Sequence, residues 1–225
     1  SDRDHARITS LYEVLLDRDT TRLVAARHLV EPYESTSRWS DLVRALEIVY
    51  SEETGRSEKH ATGLKLASIY EDRLDDNPAA LRTYLALLGE HDDPMALSKE
   101  VDRLALSSDA WGVVADHLDG MLKEGAQSAR LEIGQWLGRI HLNHRDDLAM
   151  AINSYERVLE IEESHGETLE LLEGLYEETG DGASLMRVLS ARVASTPSRE
   201  ERIGLLMKKA QVAEDELADL EAARQ

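Results

Sequence analysis

The chain has 225 residues, with 26 Lys plus Arg against 45 Asp plus Glu, a formal net charge of −19, and neither Cys nor Phe. Without cysteine there is no disulfide framework, zinc ribbon, thiol nucleophile or iron–sulfur cluster. The negative charge repels a phosphate backbone and an anionic leaflet alike, which makes nucleic acid and membrane surfaces poor partners.

An apolar content of 42% is enough for a folded chain. No apolar run approaches the ~18 residues of a membrane span. The start, Ser-Asp-Arg-Asp-His, carries no initiator Met and no signal-peptide pattern. These features lean toward a cytoplasmic address and leave the compartment open. In chain order, apolar residues three and four apart predict helices near 4–17, 21–36, 39–52, 57–74, 78–90, 94–107, 110–123, 127–144, 147–162, 166–179, 182–195 and 198–216, with a last one from 219. Breakers fall between them at Gly55, Asn77-Pro78, Asp92-Asp93-Pro94, Gly125, Gly166, Gly180-Asp181-Gly182 and Pro197. Pro32 falls inside a helix, so a kink or a fresh turn is expected there. Leu169, Leu172, Leu175 and Tyr176 form one apolar stripe, with Glu167, Glu170, Glu173 and Glu177 placed opposite. No segment alternates like a strand, so the class is all-α.

The sequence repeats itself. Tyr12, Tyr84 and Tyr155 are 72 and 71 residues apart, and Trp39, Trp111 and Gly182 follow the same spacing. Ala67, Gly138 and Ala210, then Ile69, Ile140 and Val212, and also Asp76, Asp147 and Asp219 are 71 and 72 residues apart. Each period of about 71.5 residues holds four helices, so its half, near 36, is one helix pair.

Residues 166–199 resemble a tetratricopeptide repeat, the helix–turn–helix unit of roughly 34 residues. Leu169, Leu172 and Tyr176 match the large positions of its first helix, Gly180-Asp181 its turn, Leu189 the second helix and Pro197 the terminal proline. Glu173 stands in place of the usual small residue, and Leu185 in place of the usual Ala. Elsewhere Ala67, Gly138 and Ala210 fill the first small position, and Ala80 and Ala151 the second. The likeness is closest over 147–199, looser over 57–91 and faintest over 93–124.

The resemblance implies a right-handed α-solenoid of about six antiparallel helix pairs, with a concave face lined by the first helix of each pair. One repeat domain is then expected over 1–225, cut from a longer array. Residues 4–17 look like a second helix without its first, and residues 219–225 like the opening of another. Apolar surface at such ends favours end-to-end self-association.

Each candidate site competes with a packing role. His141, His144, Asp146 and Asp147 could hold a divalent ion, but His141 lies in the column of Tyr70 and reads as a packing residue. Glu162-Glu163-Ser164-His165 contains a single Glu-x-x-His, whereas a carboxylate di-metal site needs two. No nucleophile elbow or glycine-rich phosphate loop occurs, so neither a catalytic residue nor a cofactor is expected. Trp39, Trp111 and Trp136 could serve as binding anchors, but Trp39 and Trp111 open second helices in register and read as packing residues first.

The inward-facing candidates on the first helices are Arg27, Glu31 and Glu34, then Ser98 and Asp102, then Gln135 and Arg139, then Glu170, Glu177 and Glu178. This mostly acidic set suits a protein or peptide segment of basic or mixed charge. The bland reading is a row of solvated glutamates that keeps the chain soluble. The function expected is a non-catalytic protein-interaction scaffold. Its rivals are a regulatory or docking array attached to an enzyme, and a self-assembling spacer.

Overall fold

The computed structural model describes the backbone of residues 2–16, 18, 20–90, 93–124 and 127–222, and their side chains except at 2–6, 94, 124, 127, 128 and 216–222. The expected breakers Asp92 and Gly125 lie outside the described residues. The helices are α1 (Asp2–Leu16), α2 (Arg22–Ser35), α3 (Trp39–Glu52), α4 (Arg56–Asp72), α5 (Asn77–Glu90), α6 (Ser98–Ser108), α7 (Trp111–Glu124), α8 (Gln127–His144), α9 (Leu148–Ile161), α10 (Gly166–Thr179), α11 (Gly182–Ser195) and α12 (Arg199–Ala222). No strand occurs among the described residues.

Three local expectations need correction. α2 runs through Pro32 without a break. The proline removes one N–H three residues before the helix ends, and Thr36 Oγ1 and Ser35 Oγ both donate to the Pro32 carbonyl there. Second, Pro94 starts a 3₁₀ turn, Pro94–Leu97, ahead of α6, with the Asp93 carboxylate accepting from the Met95 N–H. Third, α12 is continuous to Ala222, so no new helix begins at 219.

The chain forms two compact units, Ser1–Ala110 and Trp111–Gln225. In the first, α2 packs on α3 and α4 on α5; in the second, α8 packs on α9 and α10 on α11. The turns inside the pairs share one construction. Asp75, Asp146 and Gly180 have φ of 54°, 50° and 70°, and the residue after each, Asp76, Asp147 or Asp181, accepts from the backbone N–H three residues on. Gly and Asp tolerate the left-handed conformation that ends one helix, and the following Asp satisfies a donor at the start of the next. Ser37 and Asp109 supply the same positive φ in the remaining first-to-second turns.

The small-residue columns let the helices approach closely. A Cβ on Gly63 would lie 2.6 Å from Leu87, one on Gly134 2.6 Å from Val158, and one on Gly138 2.5 Å from the Tyr155 ring. The large residues they receive are buried, and Leu87, Val158 and Tyr155 are fully inaccessible. Each pair leaves an apolar face that the next helix covers, so cohesion is built step by step along the chain.

Candidate interaction surface

Of the first helices α2, α4, α6, α8, α10 and α12, four carry every residue expected to face a partner: α2, α6, α8 and α10. α10 shows why. Thr168, Leu169, Leu172, Glu173, Leu175 and Tyr176 are buried. Glu167, Glu170, Glu177 and Glu178 remain exposed on the other side. The 3.6-residue period divides one helix into a packing face and a solvent-facing acidic face.

Many of the expected residues are engaged within the chain. Arg27 donates to Glu53 at 2.6 Å. Glu53 is held below the ordinary carboxylate range first by the Gly55 N–H and then by Arg27. Glu34 pairs with Lys65 of α4 at 2.6 Å, joining two successive first helices. Gln135 donates to Glu167 at 3.1 Å, joining α8 to α10. Glu177 pairs with Lys208 of α12 at 2.5 Å, and Glu170 lies 4.0 Å from Arg192. Ser98 donates to the Met95 carbonyl and stabilises the start of α6, while Asp102 is half-buried farther along that helix. Glu31, Arg139 and Glu178 are exposed. The structure therefore gathers Gln135, Glu170 and Glu177 into contacts linking neighbouring helices, and leaves Glu31, Arg139 and Glu178 on the open surface.

A buried ionic centre lies beside this surface. Glu173, 6% exposed, accepts from Arg192 of α11 and from Lys208 of α12. Burial pushes its carboxyl up, but the hydrogen bonds from Lys208 and Arg192 outweigh burial and hold it below the ordinary range. By its spacing in the sequence Glu173 falls on the acidic face opposite the apolar stripe, as a departure from a small residue; the structure corrects this by burying it. The signal for its role is the pair of cations, Arg192 and Lys208, one on each of the next two helices.

A second set recurs at three of the steps from a second helix to the next first helix. The Tyr33 hydroxyl donates to Glu13 at 3.3 Å, that of Tyr70 to Glu47 at 2.6 Å and that of Tyr176 to Glu156 at 2.5 Å. Burial, followed by the neighbouring carboxylate, pushes the Tyr33 and Tyr176 hydroxyls up to about 12. Both are neutral donors at any physiological pH. In the second unit His141 occupies the column of Tyr70, and Asp119 that of Glu47.

His141 is buried, its Nδ1 has no hydrogen-bond partner, and Asp119 pairs instead with Lys123 and Arg157. Burial and then Arg145 hold the His141 imidazole below its ordinary value. His144 stacks on Trp111 with ring centroids 3.8 Å apart, Asp146 is the left-handed turn residue, and Asp147 caps α9. His165 likewise caps α10, accepting from the Thr168 N–H. His144, Asp146 and Asp147 thus have structural tasks and His141 is a packed side chain, and no group of three or more potential metal ligands occurs among the described residues. Trp111 and Trp136 are buried, and Trp39 is half-buried beneath Arg73. Among the described residues no helix is long and apolar enough to cross a membrane.

No protein-family model matches the chain, and no curated protein matches it. Among solved structures, a crystal structure of MamA is 15% identical, with 84% of this chain and 97% of that chain covered at a TM-score of 0.39. A second MamA structure is 14% identical, with 88% and 96% covered at 0.38. A tetratricopeptide repeat protein from Parabacteroides merdae is 15% identical, with 94% and 78% covered at 0.40. At these scores the fold assignment rests on the chain's own helix pairs, left-handed turns and small-residue columns. Those features make it a tetratricopeptide-like helical repeat.

Proposed function

We propose that the chain is a non-catalytic protein-interaction scaffold that takes a basic or mixed-charge segment of a partner along the first-helix face of its units. The observation that supports this best is the division of α10, where the packing face is complete and Glu167, Glu170, Glu177 and Glu178 stand exposed around Gly174. Gly174 has nothing within 4 Å of where a Cβ would lie, so a bound segment can approach the helix backbone closely there. Arg139 on α8 adds an exposed cation to the recognition elements of the second unit, and Glu31 on α2 is an exposed carboxylate of the first. Specificity comes from these side chains and the rate of encounter from the negative field.

The test is affinity capture with the full chain, comparing wild type with a Glu170→Lys/Glu178→Lys variant at low and high ionic strength. Partners retained by the wild type, lost on charge reversal and weakened by salt support the reading. A captured partner indifferent to both would sink it.

A further inference from the structure

Glu13, Glu47, Asp119 and Glu156 occupy one column of the repeat, and three of the four hold an arginine from the following second helix or its cap. Glu13 pairs with Arg38 at 2.7 Å, Asp119 with Arg157 at 2.5 Å and Glu156 with Arg187. Glu47 of α3 pairs with no cation among the described residues. Its printed neighbour is the Tyr70 hydroxyl, which donates to it at 2.6 Å and leaves the carboxylate further acceptor sites.

Beside Glu47 a groove of about 290 Å³ opens between α3 and α5. The internal repeat says what fills such a place. Counting 71 residues on, Ala79 and Ala86 of α5 correspond to Met150 and Arg157 of α9. The register is exact locally, because Thr83 donates back to the Ala79 carbonyl at 2.9 Å as Ser154 does to the Met150 carbonyl at 2.8 Å. In the second unit the Arg157 side chain, 19% exposed, therefore bridges from α9 to Asp119 of α7. In the first unit two methyl groups stand in place of Met150 and Arg157. Tyr50 and Tyr70 take up part of the freed space and give the groove aromatic walls. Arg82, in the column of Arg187, lines the same groove and is exposed, but it makes no ion pair with Glu47. An acid without a cation and a cation without an ion-paired acid thus face one slot.

We infer that the α3–α5 groove takes an arginine side chain of a partner protein, its guanidinium on Glu47 as Arg157 sits on Asp119, with an acidic neighbour of that arginine on Arg82. A guanidinium suits the slot better than an ammonium, because it stacks flat on a phenol ring and meets a carboxylate through two parallel N–H donors. Six of the eight lining residues belong to the second helices α3 and α5, so this contact is additional to the first-helix face and does not depend on it.

NMR titration of the 225-residue chain with the blocked dipeptide N-acetyl-Arg-Glu-amide tests this, beside the same peptide with citrulline or Lys in place of Arg. The Tyr50 and Tyr70 ring signals should shift saturably with the arginine peptide, roughly tenfold more weakly with the lysine peptide and not with the citrulline one. Glu47→Gln and Ala86→Arg should each weaken binding by roughly tenfold or more, the second by filling the slot from within. Both positions are exposed, so folding is retained, which circular dichroism checks. Arg82→Ala should bind no more tightly than the wild type, and Glu170→Lys/Glu178→Lys should bind as the wild type does, which separates this slot from the first-helix face. The inference is overturned by an absence of saturable shifts, by equal binding of the citrulline peptide, or by binding that survives Ala86→Arg. A gain of roughly tenfold in Arg82→Ala, the sign that Arg82 itself occupies Glu47, overturns it as well.

Discussion

Replacing Glu173 by Gln removes one negative charge from the junction of α10, α11 and α12 while keeping the side chain's size. The carboxylate is 6% exposed and receives Arg192 and Lys208 together. Losing one partner of a fully buried ion pair costs about 3–5 kcal/mol. Here the side chains of Arg192 and Lys208 are 24% and 37% exposed, and each keeps a second carboxylate, Glu170 at 4.0 Å and Glu177 at 2.5 Å. The stranded cations can hydrate, so a loss of about 2 kcal/mol is expected. For a chain of this length that lowers the melting temperature by roughly 4–8 °C.

The pH dependence follows from the direction of the shift. Because the folded carboxyl is held below its ordinary range, its contribution is present above the unfolded value, about 4.3, and disappears as pH falls through the folded value. Thermal and urea unfolding should show the full gap between wild type and Glu173→Gln near neutrality, and a narrowing gap in acid. A double-mutant cycle with Arg192→Met should return a coupling of about 1 kcal/mol or more. A Glu173→Gln protein as stable as the wild type, or a gap independent of pH, would refute the account.

Three further outcomes are expected. Gly138→Ala places a Cβ 2.5 Å from the fully buried Tyr155 ring; unfolding should show a loss of roughly 1–3 kcal/mol, because the ring has no room to retreat. Tyr176→Phe removes the hydroxyl donated to Glu156 while Arg187 still pairs with that carboxylate, so denaturant unfolding should register a loss of about 1 kcal/mol. His141, with its pKa lowered by burial and then by Arg145, binds its proton more readily unfolded than folded, even with Asp147, Asp119 and Asp116 opposing that shift. Wild-type stability should therefore drop as pH falls below about 6.5, with a shallower drop in His141→Gln, read from melting temperatures at a series of pH values.

The helices were legible because apolar spacing and breakers carry them directly. The period was legible because Tyr12, Tyr84 and Tyr155 repeat as whole residues. Three features escaped for physical reasons. Pro32 signals a break by its own chemistry, but its place in the last turn leaves only one hydrogen bond to lose. The Asp146-Asp147 pair suggests metal chemistry by composition, whereas its backbone task, a left-handed residue followed by a cap, shows only in the dihedral angles and hydrogen bonds. Glu173 reads as a departure from the repeat because its partners lie 19 and 35 residues away on other helices. Of the partner-facing set, the choice of first helices follows from periodicity. Which of those side chains pair within the chain depends on lateral distances between helices, which no spacing along one helix encodes.

The steps between second and first helices show how this chain tolerates divergence. In repeat register the corresponding positions are Glu13 and Tyr33, Glu47 and Tyr70, Leu85 and Ala105, Asp119 and His141, Glu156 and Tyr176, and Ser190 and Val212. Three are hydrogen-bonded acid–tyrosine pairs. At the third step the acid and the phenol are both gone, and Leu85 and Ala105 are both buried. At the sixth, Ser190 turns its hydroxyl back to the Met186 carbonyl, and Val212 is part-buried beside the apolar core of the second unit. A buried phenol without its acceptor costs more than an apolar replacement of both members, so these columns change in pairs. The fourth step is the exception: an acid and a titratable ring remain, the acid is drawn off to Lys123 and Arg157, and His141 is left with an orphan nitrogen. That imbalance adds a loss of stability on mild acidification at the contact between α7 and α8, beside the acid-dependent contribution of Glu173. The steps at Tyr33 and Tyr70, whose phenols stay neutral through the same range, contribute none.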